Sequence, residues 1–131
     1  MQIGEIHMVR FWFIGGCLIA GLGIAAGAFG AHALKQRLST DLLQIFETGV
    51  RYQMYHAFGL IIIAMAMDRW PNNSFQIAAW LFLAGIVLFS GSLYVLCLSG
   101  IRALGAITPI GGLCFLGGWA FLALAIWTGK N

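Results

Sequence analysis

The positions of the few charged residues constrain this chain more than any other feature of its sequence. Arg10 precedes an uncharged run over residues 11–34, and Arg102 is the single charge within residues 70–129. An ionised side chain at the bilayer centre costs about 3 kcal/mol on insertion scales. Long uncharged runs divided by charged clusters therefore predict membrane spans joined by loops.

Composition excludes a water-soluble globular protein. Only 8% of the 131 residues are charged and 61% are hydrophobic, whereas an ordinary soluble domain is about 25% charged. The net charge of +3 then indicates affinity for anionic lipid headgroups. The sequence has no basic, aromatic-interleaved patch, so we expect the lipid bilayer to be its partner and nucleic acid to be excluded.

The charge pattern predicts four helices across the membrane, because a helix needs about 20 residues to cross the hydrocarbon. We place the spans near residues 11–33, 49–68, 75–98 and 103–127. The predicted fold is an all-α integral membrane four-helix bundle with short loops, formed by one domain over residues 1–131. The apolar part of the second span is short, so we expect an amphipathic lead-in over Asp41 to Glu47.

Four consecutive crossings determine which polar residues can meet. We call the side of the membrane that holds the N-terminus side A and the opposite side B. The polar groups of all four spans then fall in the side-B half. The predicted polar cluster consists of His32, Tyr52, Gln53, His56, Ser90, Ser92, Tyr94 and Thr108.

This cluster has two interpretations. Imidazoles such as those of His32 and His56 can bind a metal, a haem or a quinone headgroup, or relay protons. Polar side chains in membranes also commonly hydrogen-bond between helices, and we favour this structural role. The three cysteines, Cys17, Cys97 and Cys114, have no CxxC spacing and are expected to be core residues, so we predict no metal site and no cofactor.

Small residues at four-residue spacing predict where helices pack closely. Gly23, Gly27 and Ala31 form such a face on the first span, and the pair Gly111 and Gly112 lies on the fourth. Small residues let backbones approach in lipid, where apolar burial alone gives little drive for association. We expect these positions to be helix-packing faces.

The positive charges give little guidance on orientation. Side A has three cations and side B has four, namely Arg10, Arg69 and Lys130 against Lys35, Arg37, Arg51 and Arg102. Arg51 is expected in the membrane interface, and the amino terminus adds positive charge to side A. The positive-inside rule then favours both termini in the cytoplasm.

Four motifs along the chain also match a known family. They are GAFGAH at residues 27–32, TG, YQ and H within residues 48–56, FSGSLY at 89–94, and TPIGG at 108–112. In these motifs the chain resembles the domain of unknown function 423 family of small inner-membrane proteins, which is related to the eukaryotic transmembrane protein 256 family. The resemblance covers nearly the whole chain and implies a four-helix protein of the bacterial inner (plasma) membrane with no established activity.

We therefore expect a non-enzymatic membrane protein. The favoured hypothesis is an accessory, scaffolding or assembly subunit that packs through its glycine-rich faces, either as a homo-oligomer or in a larger membrane complex. The alternative is binding or transport of a small molecule, metal, quinone or proton at a polar site around His32 and His56.

Overall fold

A computed structural model of the chain describes residues 3–70 and 72–129, and the described fold is entirely helical. Lys130, one of the side-A cations, lies outside these residues. Five α-helices follow one another, and two π-helical segments and one 3-10 segment extend or join them. The α-helices are α1 (Ile3–Phe29), α2 (Thr40–Arg69), α3 (Ser74–Gly85), α4 (Ser92–Ser99) and α5 (Thr108–Thr128).

These elements form four long rods, which confirms the predicted helical membrane bundle. The π-helical segment Gly30–Leu34 continues α1, Ile86–Gly91 joins α3 to α4, and the 3-10 segment Arg102–Ala106 leads into α5. Among the described residues, three rods are long and apolar enough to cross a membrane: Gly4–Leu34, Ser74–Ser99 and Arg102–Thr128. Helix α2 does not meet that criterion, so its crossing stays a prediction.

Helix α2 runs antiparallel to α1 over most of its length. Gly16 of α1 faces Ala57 and Ile61, whereas Gly30, fourteen residues later along the chain, faces Phe46. This register carries α2 across the same depth that α1 covers. It supports the prediction that α2 is a fourth crossing.

The second half of the chain repeats the antiparallel pairing. Gly85 at the end of α3 faces Phe115 of α5, and Gly118 of α5 faces Phe82 of α3. The two helical pairs meet because α2 also packs on α3, where Gly59 faces the ring of Phe82. The larger core cluster lies at this junction and includes residues of α1, α2, α3 and α5.

The predicted amphipathic lead-in is the beginning of α2 itself. Ser39 caps this helix, since its side-chain oxygen accepts a hydrogen bond from the Leu42 N–H at 3.4 Å. In the first turns Asp41 and Glu47 are exposed, while Phe46 is only 3% exposed. The segment is therefore amphipathic and continuous with the rest of the 30-residue helix.

The turn between α2 and α3 is fixed by Asn72. Its Oδ1 accepts from the Ser74 N–H at 2.9 Å at the start of α3. Its Nδ2 donates to the Ala125 carbonyl at 3.1 Å and to the Thr128 hydroxyl at 2.9 Å. One amide thus holds the first turn of α3 against the last turn of α5.

Candidate functional site

Gln53 links three helices through its side-chain amide. The Tyr94 hydroxyl of α4 donates to Gln53 Oε1 at 2.7 Å. Gln53 Nε2 donates to the Ile19 carbonyl of α1 at 2.9 Å. Because a buried amide that loses its partners is costly, these bonds hold the register of α1, α2 and α4.

The two predicted serines bridge different helix pairs. The Ser90 hydroxyl donates to the Gly49 carbonyl of α2 at 2.7 Å. The Ser92 hydroxyl donates to the Phe89 carbonyl at 2.9 Å and lies 2.8 Å from the Thr108 hydroxyl. Since the single Ser92 proton goes to a carbonyl, which only accepts, Thr108 is the donor between the two hydroxyls.

The π-helical segment explains how neighbouring side chains reach different helices. A π-bulge inserts an extra residue into a helical turn and re-aims the side chains around it. Within Ile86–Gly91, Ser90 hydrogen-bonds to α2 while the backbone of Phe89 lies directly against Gly111 of α5. One short segment thereby contacts two helices.

His56 is held at both ring nitrogens. Its Nδ1 lies 2.7 Å from the Tyr52 carbonyl, which can only accept, so Nδ1 carries the proton. Its Nε2 accepts from the Trp119 indole N–H at 3.1 Å. The ring also stacks on Phe115 with centroids 3.4 Å apart and an interplanar angle of 6°.

This environment determines what His56 can do. A ring nitrogen must have a free lone pair to ligate a metal or accept a proton, and the Nε2 lone pair is occupied by Trp119. No group of three or more His, Cys, Asp or Glu side chains placed to hold a metal occurs in residues 3–70 and 72–129. His56 therefore acts as a hydrogen-bonded link between α2 and α5.

His32 does not join the other predicted polar residues. It is exposed within the π-helical segment that follows α1, and its imidazole makes no hydrogen bond to any described residue. Tyr52 contributes its backbone carbonyl and its ring, while its hydroxyl has no partner among the described residues. The other six residues, including His56, form hydrogen bonds between helices. The structure therefore connects most of the predicted cluster to neighbouring helices, but it does not bring His32 and His56 together.

Trp119 is the functional neighbour that sequence reasoning missed. It lies eleven residues after Thr108 along α5, and as an aromatic residue in an apolar span it gave no polar signal. Its indole N–H could nevertheless have been used as a signal, because an N–H in lipid requires a hydrogen-bond acceptor. His56 was an acceptor at a compatible depth.

The predicted small-residue faces are mostly internal. Gly23 lies against the Met54 side chain, and Gly27 lies 3.4 Å from Val50 when a Cβ is built on it. Gly111 contacts the Phe89 backbone, whereas Gly112 is more open. Ala31 is exposed.

Five further glycines at helix contacts were not among the predicted faces. Each would bring a Cβ to 3.0 Å or less from a neighbouring helix, and they are Gly16, Gly30, Gly49, Gly59 and Gly85. Most of them oppose an aromatic ring, a pairing that spacing along one helix does not show.

A groove opens on one side of the bundle between α2 and α5, and we call it the α2–α5 groove. Its volume is about 540 Å³. Tyr52 and Pro109 lie toward its side-B end, while Leu116 and Trp119 lie deeper, beside His56. Most of its lining is aromatic or aliphatic, so this groove faces the bilayer as an apolar surface with an imidazole at its floor.

Comparison with known proteins identifies similar chains. Residues 26–112 match the family described as "Protein of unknown function (DUF423)". The UPF0382 membrane protein YwdK of Bacillus subtilis is 45% identical over 118 residues, which cover 89% of this chain and 96% of that protein. A UPF0382 membrane protein of Staphylococcus haemolyticus is 46% identical over 89% of this chain and 95% of its own length. No solved structure matches.

Proposed function

Since this chain belongs to the DUF423 family and is similar to UPF0382 membrane proteins, we propose that it acts in the membrane without chemistry of its own. Its role is that of an accessory, scaffolding or assembly subunit. The observation that carries this proposal is the use of the polar side chains. Six of the eight polar side chains of the predicted cluster, all but those of His32 and Tyr52, bond to one another, to backbone carbonyls or to Trp119.

The metal- or proton-handling alternative has less support. A shared site would need His32 and His56 together, and His32 is exposed in the π-helical segment Gly30–Leu34 while His56 is 3% exposed between α2 and α5. Proton uptake at His56 Nε2 would bring its new N–H against the Trp119 N–H that now donates to it. The geometry favours a structural role for this histidine.

The outer face of α1 is the surface we propose for association. Cys17, Gly21, Ala25 and Ala28 are exposed on it at three- and four-residue spacing. No atom of another part of the chain lies within 4 Å of a Cβ built on Gly21, whereas Gly23, on the inner face, is covered by Met54. The glycine-rich faces that were predicted to contact a partner pack against the chain's own helices. We therefore propose that partner contact occurs through the outer face of α1 instead.

Oxidative cross-linking at the native Cys17 tests this association in membranes. We expect a product of twice the monomer mass for self-association, or a product of a different mass for another subunit, and its loss in Cys17→Ser. Gly21→Leu should abolish the product by separating the helices. Gly15→Leu is the matched control, because a Cβ there also meets nothing within 4 Å and the position is off the outer face. A chain that gives no product in native membranes contradicts the proposal.

We also propose that the protein lies in the bacterial plasma membrane with both termini in the cytoplasm. An even number of crossings puts both termini on one side. We expect Arg51, eleven residues after the start of α2, to lie in the membrane interface, where it contributes less to the positive-inside rule, so that three cations remain on each side. Reporter fusions at each end test this arrangement. Termini on opposite sides would refute four crossings, and two external termini would refute the orientation.

A further inference from the structure

We propose that the α2–α5 groove binds one anionic phospholipid, with an acyl chain along the groove and the phosphate at its side-B end, beside Arg51 and Tyr52. This proposal does not depend on the accessory role, because the groove lies on α2 and α5 and the proposed association face lies on α1.

The length of the groove matches one leaflet. Its α5 wall runs from Pro109 to Trp119, ten residues of helix, which corresponds to about 15 Å along the axis. The hydrocarbon core is about 30 Å thick. The volume of about 540 Å³ also falls within the range of about 300–1,000 Å³ typical of small-molecule sites. The groove therefore fits a chain that enters from side B and ends near mid-membrane.

The walls of the groove are aromatic and fixed by their own contacts. The Tyr52 ring packs on Phe89 with centroids 4.6 Å apart. Phe115 stacks on His56, which Trp119 holds by its hydrogen bond. Aromatic side chains have few rotatable bonds, so a wall built in this way loses little conformational entropy when a ligand binds. The groove is thus preformed for an apolar chain.

The side-B end of the groove provides polar contacts for a headgroup. Tyr52 lines this end, and its hydroxyl has no hydrogen-bond partner among the described residues. Tyrosines at the membrane interface place their hydroxyls at headgroup depth. The Tyr52 hydroxyl is available as a donor to a phosphate.

Charge complementarity selects an anionic lipid. Arg51 is exposed, forms no ion pair within the described chain, and directly precedes Tyr52 at the side-B end of the groove. The side-B end of the molecule has four cations and two carboxylates, namely Lys35, Arg37, Arg51 and Arg102 against Asp41 and Glu47. The surplus of positive charge favours a headgroup with a net negative charge over a zwitterionic one.

The test uses the full-length protein in nanodiscs that contain equal amounts of phosphatidylglycerol and phosphatidylcholine. Native mass spectrometry then measures the lipid that the protein retains after release into detergent. We expect one phosphatidylglycerol per protomer, preferred over phosphatidylcholine by about fivefold, the contribution of one arginine near an anionic surface.

Two variants separate the chain site from the headgroup site. Gly112→Leu fills the groove, and because a Cβ there meets only Phe89 at 4.0 Å, the fold should persist while retention is lost. Arg51→Gln should keep retention but lose the roughly fivefold preference. Gly15→Leu adds the same side chain as Gly112→Leu at an open position away from the groove and should retain lipid as the wild type does.

Each other outcome overturns the proposal. Retention that is unchanged in a folded Gly112→Leu protein would place the lipid elsewhere. Equal retention of the two lipids by the wild type would remove the anionic selectivity. Retention of an endogenous quinone in place of phospholipid, or occlusion of the groove by a second copy, would assign the groove to another occupant.

Discussion

The Trp119 indole N–H donates to His56 Nε2 across 3.1 Å and joins α5 to α2. The other nitrogen of His56 is bonded to the Tyr52 carbonyl of its own helix. The imidazole is thus positioned by one local bond and used for one bond between helices. Because only the bond at Nε2 joins two helices, its loss measures how much one interhelical hydrogen bond stabilises the bundle.

Removal of this contact should lower stability only modestly. Interhelical hydrogen bonds in membranes average about 0.6 kcal/mol, so we expect a coupling of that size between His56→Leu and Trp119→Phe. A double-mutant cycle on unfolding in detergent measures it. A coupling near zero would show that the hydrogen bond adds nothing to the packing of the two rings.

His32→Leu is the control for that experiment, and the structure changes our expectation for it. An interhelical role for His32 predicted a modest loss of stability. Because His32 is exposed and its imidazole bonds to no described residue, its replacement should change the free energy of unfolding by less than about 0.5 kcal/mol. A loss as large as that of His56→Leu would indicate a partner that the single chain lacks.

The bonds of Gln53 give a graded prediction. Tyr94→Phe removes one hydrogen bond and keeps the ring that packs on Phe46. Gln53→Leu removes that bond and the bond to Ile19 as well. Thermal unfolding in detergent should therefore show a larger decrease in Tm for Gln53→Leu than for Tyr94→Phe, and the reverse order would contradict the network.

Alanine substitutions at two glycines should have opposite effects. A Cβ at Gly111 would overlap the backbone of Phe89, which a side-chain rotation cannot relieve, so Gly111→Ala should cost about 1–3 kcal/mol. A Cβ at Gly27 meets only Val50 at 3.4 Å, and alanine has the higher helix propensity. Gly27→Ala should leave stability unchanged or raise it. Chemical unfolding of both variants in the same detergent compares them.

Asn72→Ala should loosen the side-A end of the bundle. It removes the bond to the Ser74 N–H and both bonds to α5, including that to Ala125. Loss of a polar cap of this kind typically costs about 1 kcal/mol. Hydrogen exchange should become faster at residues 125–128 while exchange at Phe82, in the core, stays unchanged. Equal acceleration at both sites would indicate global destabilisation.

The sequence was sufficient to predict the bundle because charge placement and hydrophobic length are properties of the chain alone. It also predicted the shared depth of Gln53, Ser90 and Tyr94, because alternating crossings place these residues in the same half of the membrane. The structure adds the direction in which each side chain points. His32 lies closer to side B than these residues, because its neighbour Gly30 faces Phe46 whereas Gly23 lies against Met54 and Gln53. It is also exposed in the π-helical segment Gly30–Leu34, and crossing depth contains no information about rotation around a helix axis.

The glycine contacts show a second limit of sequence reasoning. Spacing predicted that Gly23 and Gly111 lie at helix contacts, but not what lies opposite them. Gly85 and Gly118 each face a phenylalanine of the other helix of the α3 and α5 pair, and that pairing depends on the relative register of two helices.

The modest apolar content of α2 affects how the chain inserts into the membrane. A helix with Asp41, Glu47, Arg51 and two further charges at its end partitions poorly from the translocon into lipid by itself. Its complementary partner, α1, is synthesised first and presents Gly16 to Ala57 and Ile61. Insertion of α2 is therefore expected to depend on the nascent α1, so that the two enter the bilayer as a hairpin before the ribosome has completed α5.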